Sequence, residues 1–144
     1  MKGFVLDKIK EEDAHINENE VISLEENLKE DMGFDGISIV NPENSNKIYI
    51  INSIYIQSEN KKVIVALGEN NNCSELDELF ISKDVKKEEN LIHINTVEKK
   101  IYDNTDILQG YYIILLPKGY VNIKVDEPVN ELDIKLFCRE EKIL

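Results

Sequence analysis

Over most of this chain apolar residues recur at every second position, the spacing that sends alternate side chains of an extended strand to opposite faces. The pattern predicts strands over Gly3 to Asp7, Val21 to Leu24, Gly36 to Val40, Lys47 to Gln57, Lys62 to Leu67, Leu91 to Val97, Ile107 to Leu116, Tyr120 to Val125 and Leu132 to Cys138. Turn chemistry separates them: Asn41-Pro42-Glu43-Asn44-Ser45-Asn46, Ser58 to Lys61, Gly68 to Asn72, Pro117-Lys118-Gly119 and Asp126-Glu127-Pro128. Eight or nine short strands joined this way imply an all-β fold, an antiparallel β-sandwich or jelly roll, with one or two short helical turns.

Two segments depart from simple alternation. In Lys47 to Gln57, Ile48, Ile50, Ile54 and Ile56 fall on one side of a strand and Tyr49, Ile51 and Tyr55 on the other. In "YYIILL", Tyr111, Ile113 and Leu115 oppose Tyr112, Ile114 and Leu116. The second side of an antiparallel sheet normally faces water, so a covering is required. Tyr49, Ile51, Tyr55, Tyr111 and Tyr112 are therefore the candidate partner-interface residues. The chain itself offers two coverings. Leu24, Leu28 and Met32, spaced by four, predict two helical turns over Glu25 to Met32 with Gly33 as the terminal cap, and Ser74 to Phe80 predicts another short turn. A hairpin through Ser58 to Lys61 is expected to pair Lys47 to Gln57 with Lys62 to Leu67.

At 144 residues the chain reads as one domain, with Ser82 to Asn90 as a charged mobile loop. Its formal net charge of −12 repels phosphate backbones and anionic membranes. Arg139 is its single arginine, which leaves little capacity for bidentate phosphate recognition. Neither nucleic acid nor membrane is an expected partner, and no apolar run approaches the roughly 20 residues that span a bilayer.

Candidate chemistry is sparse. The sequence lacks GxSxG, P-loop, GxGxxG, HExxH and paired-cysteine motifs. His93 lies between apolar residues of a predicted strand. Glu11, Glu12, Asp13 and His15 crowd one segment, where a strand would send neighbours apart and so disfavour a metal site. Asp103, Asp106, Asp126 and Glu127 lack the spacing of a calcium loop. Cys73 and Cys138 read as isolated reduced thiols. No catalytic residue, cofactor or metal is assigned, and a non-enzymatic role follows.

"GISIVNPENSNKIYIINSIYIQSENKKVIVALG" resembles a pattern in all-β bacteriophage virion proteins, in which an Asn-Pro turn with small polar residues and a lysine leads into a long Ile/Tyr-rich strand. "YYIILLPKGYVNIKV" resembles the strand, Pro-Lys-Gly turn and strand of capsid-decorating or fibre-type members. The resemblance implies a structural protein of the virion, made in the host cytoplasm, a homo-oligomer with a trimer favoured, bound to other virion proteins, with residues 1–24 as an arm that reaches a neighbour. The charge balance leaves one alternative, an acidic cytoplasmic inhibitor or immunity-type protein for a basic partner, and the similar pattern of carbohydrate-binding sandwiches leaves a second, a carbohydrate-binding module.

Overall fold

The computed structural model describes residues 4–8, 21–57, 63–69, 76–83, 92–97 and 105–143. The candidate metal segment with His15, Cys73, Asp103 and most of the charged loop (residues 84–90) lie outside them. The strands are β1 (Phe4–Lys8), β2 (Val21–Val40), β3 (Lys47–Gln57), β4 (Val63–Glu69), β5 (Phe80–Ser82), β6 (Ile92–Val97), β7 (Thr105–Asp106), β8 (Tyr111–Leu115) and β9 (Gly119–Lys142). All belong to one hydrogen-bonded sheet whose pairings are antiparallel. Its continuous path, β1–β8–β3–β9–β2–β5, has six strands, fewer than the eight or nine that the turn pattern implies; β4, β6 and β7 branch from it.

The spine is β9, which fuses two segments that the sequence pattern separates at Asp126-Glu127-Pro128. Along one edge it carries β2 from Val21↔Arg139 to Val40↔Tyr120. Along the other it carries β4 on residues 119–125 and β3 on residues 133–142. This corrects the expected hairpin: β3 and β4 do not pair with each other but share one edge of β9 in succession.

The expected helix over Glu25 to Met32 is likewise strand, part of the 20-residue β2. Its apolar spacing of four is also a multiple of two, so Leu24 and Leu28 satisfy either period, and cross-strand contact with Leu136 and Leu132 of β9 decides for the sheet. Gly33, expected as a helix cap, has φ +79 within an irregular stretch between Lys29 and Gly36 where the β2–β9 register shifts. Its conformation suits a bulge as well as a cap. Met32 beside it is 91% exposed. The turn expected from Ser74 is not helical over residues 76–79, and Phe80 opens β5. Among the described residues the one helical turn is the 3-10 turn Glu43–Ser45.

One hydrophobic cluster gathers side chains from both halves of β9 (Val121, Ile123, Val125, Leu132, Ile134, Leu136, Cys138) with Ile37 and Ile39 of β2, β3, β4 and β8. Full burial of each such aliphatic side chain contributes about 1.5 to 3 kcal/mol, so the fold rests on this cluster.

Candidate interaction surface

The apparent two-sidedness of β3 has a local cause. Tyr49 and Ile51 lie opposite Leu115 and Ile113 of β8, on the core side. A register shift between Ile51 and Ser53 inserts one residue against β9, after which Ile54 and Ile56 stand opposite Leu136 and Ile134. Tyr49, Ile51, Ile54 and Ile56 are consequently all within 1% of complete burial. One bulge thus converts what strict alternation divides between two faces into a single buried stripe, and moves Ile48 and Ile50 to the opposite side together with Tyr55.

Of the five candidate interface residues, Tyr49 and Ile51 are therefore enclosed by the chain's own core. The Tyr49 hydroxyl accepts a 3.3 Å hydrogen bond from Leu79 N, and burial pushes its phenol above the usual tyrosine value. Tyr111 is half-buried and shares the core side with Ile113 and Leu115. Tyr55 and Tyr112 lie on the outer side, where the structure groups them with Ile48, Ile50, Ile114 and Phe137, all half-buried. Tyr55 meets Phe137 edge to face, ring centroids 6.0 Å apart, and the Lys135 ammonium sits 5.1 Å from the Phe137 centroid. Phe137 and Arg139 were legible as outward positions of "LDIKLFCR", alternating with inward Leu136 and Cys138, but only the register brings them beside Ile50 and Ile114.

This outer face carries charges of both signs. Its outward positions on β2 (21–29), β3, β8 and β9 (131–141) carry four acidic residues, Glu25, Glu131, Asp133 and Glu141, and three basic ones, Lys29, Lys135 and Arg139. Their sum is −1.

The Asn-Pro and Pro-Lys-Gly turns serve the scaffold. Asn41, fully buried, donates from Nδ2 to Lys47 O and Leu115 O, both at 2.9 Å, and accepts at Oδ1 from Ser45 Oγ at 2.6 Å. Its backbone N donates to Gly119 O and its carbonyl accepts from Lys118 N. The two turns are thereby fastened to each other through one residue, its backbone holding the Pro-Lys-Gly turn and its side chain its own turn and the end of β8. Next to them Lys47 reaches Glu140 at 3.2 Å, a hydrogen bond that holds its ammonium above the ordinary lysine value.

Among the described residues no three His, Cys, Asp or Glu side chains are grouped to hold a metal. Asp106 caps a turn instead, its Oδ1 accepting from Leu108 N at 3.0 Å and Ile54 N at 3.2 Å. Cys138 is a buried free thiol whose ionisation burial pushes up to about 12. No helix among the described residues is long and apolar enough to cross a membrane.

No protein-family model matches the sequence, and no curated protein matches it. Several solved structures are similar to parts of it at a low level. RmlC from Streptococcus suis, in complex with dTDP-D-xylose, is 6% identical over 85% of this chain and 45% of its own, with a TM-score of 0.32. The CBM22-1-GH10 modules of Clostridium thermocellum xylanase 10B, complexed with xylohexaose, are 13% identical over 96% of this chain and 29% of theirs, with a TM-score of 0.37. A CooA mutant from Carboxydothermus hydrogenoformans is 10% identical over 81% and 55%, with a TM-score of 0.21. The chain thus spans between about a third and about half of the length of these proteins.

Proposed function

We propose that this chain is a non-enzymatic structural component of a phage-like particle, a jelly-roll-like sandwich that joins its neighbours through the outer face of β8, β3 and β9, with a second copy of itself as the first neighbour. The observation that carries this reading is the band of Ile48, Ile50 and Ile114, left partly open on the one side of β3 and β8 that the core does not use. Burying what each half-buried side chain still exposes contributes a part of the roughly 1 to 3 kcal/mol of full burial, which favours a subunit contact at this band. The positive and negative side chains around it nearly balance, so two copies meeting across it add little net repulsion there. The resemblance of the chain's turn and strand pattern to that of virion proteins supports the particle context.

Size-exclusion chromatography with light scattering tests it. The expected result is an oligomer, a trimer on this reading, that persists at high salt, and a folded monomer on substitution of Ile50→Lys with Ile114→Lys. A wild-type chain that remains monomeric at every accessible concentration overturns the reading.

A further inference from the structure

Residues 21–29 of β2 form an open edge of the sheet. They pair with β9 on one side, and among the described residues the strand on the other side of β2 is β5, which meets it at residues 38–40. The direction of the backbone groups follows from the neighbouring ladder. Ile54 of β3, opposite Leu136, gives its N–H to Asp106 Oδ1 and takes its bond from Ile107 N, so Leu136 turns its own groups toward Leu24 of β2. By alternation Leu24, Glu26 and Leu28 bond to β9, while Glu25, Asn27 and Lys29 turn N–H and C=O outward. Lys29 O is met on that outward side by the Lys83 ammonium at 3.0 Å.

Charges on an edge strand normally guard it against pairing. Here their placement is self-complementary. Two antiparallel copies of β2 that meet at Asn27 set Glu25 of each opposite Lys29 of the other. Within each chain Glu25 already faces Lys135 and Lys29 faces Glu131. One row across the four strands then runs Lys135, Glu25, Lys29, Glu131 in alternating sign, and symmetry supplies it twice. A meeting at Glu25 or Glu26 sets that glutamate against its own copy, and one at Leu28 sets Glu26 against Glu30. We propose that β2 pairs along this edge with β2 of a second copy, antiparallel and centred on Asn27, so that one sheet runs through both. The contact goes beyond the outer face described above and does not depend on it: it joins one assembly to the next. Its regular ladder is residues 25–29 of each copy, a small contact that forms at high concentration or where many copies are gathered, with Glu25 N of the second copy replacing Lys83 at Lys29 O.

The test uses the full chain carrying Ile50→Lys and Ile114→Lys, which closes the outer face, in sedimentation equilibrium up to about 1 mM. A reversible dimer is expected. Adding Glu25→Lys alone or Lys29→Glu alone is expected to weaken it on the order of tenfold, since each sets like charges opposite in both rows. An equimolar mixture of the two variants is expected to restore it, which no role of either residue within its own chain can do. Hydrogen exchange on the chain with its edge intact gives a second reading that needs no charge variant: the Glu25, Asn27 and Lys29 amides slow as concentration rises, and those of Leu24, Glu26 and Leu28 do not change. The absence of a dimer at about 1 mM overturns the edge contact and leaves the outer-face reading standing. A mixture no stronger than its components, or edge amides indifferent to concentration, does the same. A wild type that is monomeric at chromatographic dilution overturns the outer face alone.

Discussion

Ser38 Oγ donates to Asn122 Oδ1 at 2.5 Å, directly across the β2–β9 ladder, and neither residue is reached by solvent. A polar pair in that setting fixes register, because a slip of one residue would separate the two groups and bury each against apolar neighbours. Ser38→Ala removes the donor and keeps the volume nearly unchanged. Its expected cost is about 1 to 2 kcal/mol, read from urea denaturation midpoints.

Asn41 is the more expensive position. Its side chain serves Lys47 O, Leu115 O and Ser45 Oγ together, so Asn41→Ala takes the donor from two backbone carbonyls and loosens both turns. A loss of about 2 to 4 kcal/mol is expected, larger than for Ser38→Ala, and hydrogen exchange of Lys118 and Gly119 amides should accelerate with it.

Tyr49 and Tyr55 look alike in sequence and should behave differently. Tyr49→Ser opens a cavity in the main cluster and should cost about 3 to 5 kcal/mol. Tyr55→Ser forfeits an edge-to-face contact with Phe137 on a half-open surface and should cost about 1 kcal/mol. Thermal melts of the two variants, run side by side, check the contrast.

Cys138 makes stability fall in alkali. Its thiol ionises at about 12 in the folded chain, above the 9.0 of an ordinary cysteine, so its contribution is complete below pH 9 and is lost as pH rises toward 12. The raised phenol of Tyr49 acts in the same direction from its usual 10.0 upward. Denaturation midpoints should therefore decline above about pH 9, and Cys138→Val should flatten the slope. In a Cys73→Ser background the remaining thiol should resist alkylation until the protein unfolds.

Much of the sheet was legible because its strands obey alternation. Lys47–Gln57 has the bounds that periodicity assigns to it, and Val121, Ile123 and Val125 with Leu132, Ile134 and Leu136 face the core as their spacing requires. Three things were hidden, each for a physical reason. A spacing of four residues satisfies helix and strand alike, so Leu24 and Leu28 could not choose between them until Leu136 and Leu132 were opposite. A bulge is one extra residue with no composition of its own, and at Asn52 it reassigns the faces of every residue that follows it in the strand. Long-range pairing is invisible to local pattern, which is why β3 and β4 looked like a hairpin. The candidate site was legible in kind, as Ile and Tyr beyond the needs of one face. Its membership was legible only for Tyr55 and Tyr112, and the neighbourhood of Arg139 depended on register.

The shared spine has a consequence for the order in which the chain can be assembled. Val21 finds its partner in Arg139 and Val40 in Tyr120, so β2 must wait for its longest ladder until the synthesis of β9 is nearly finished. Until then a 20-residue extended segment leaves the ribosome with its backbone groups unmated along that edge. Closure at such sequence separations is slow, and the nascent chain is most exposed to intermolecular strand pairing during that interval.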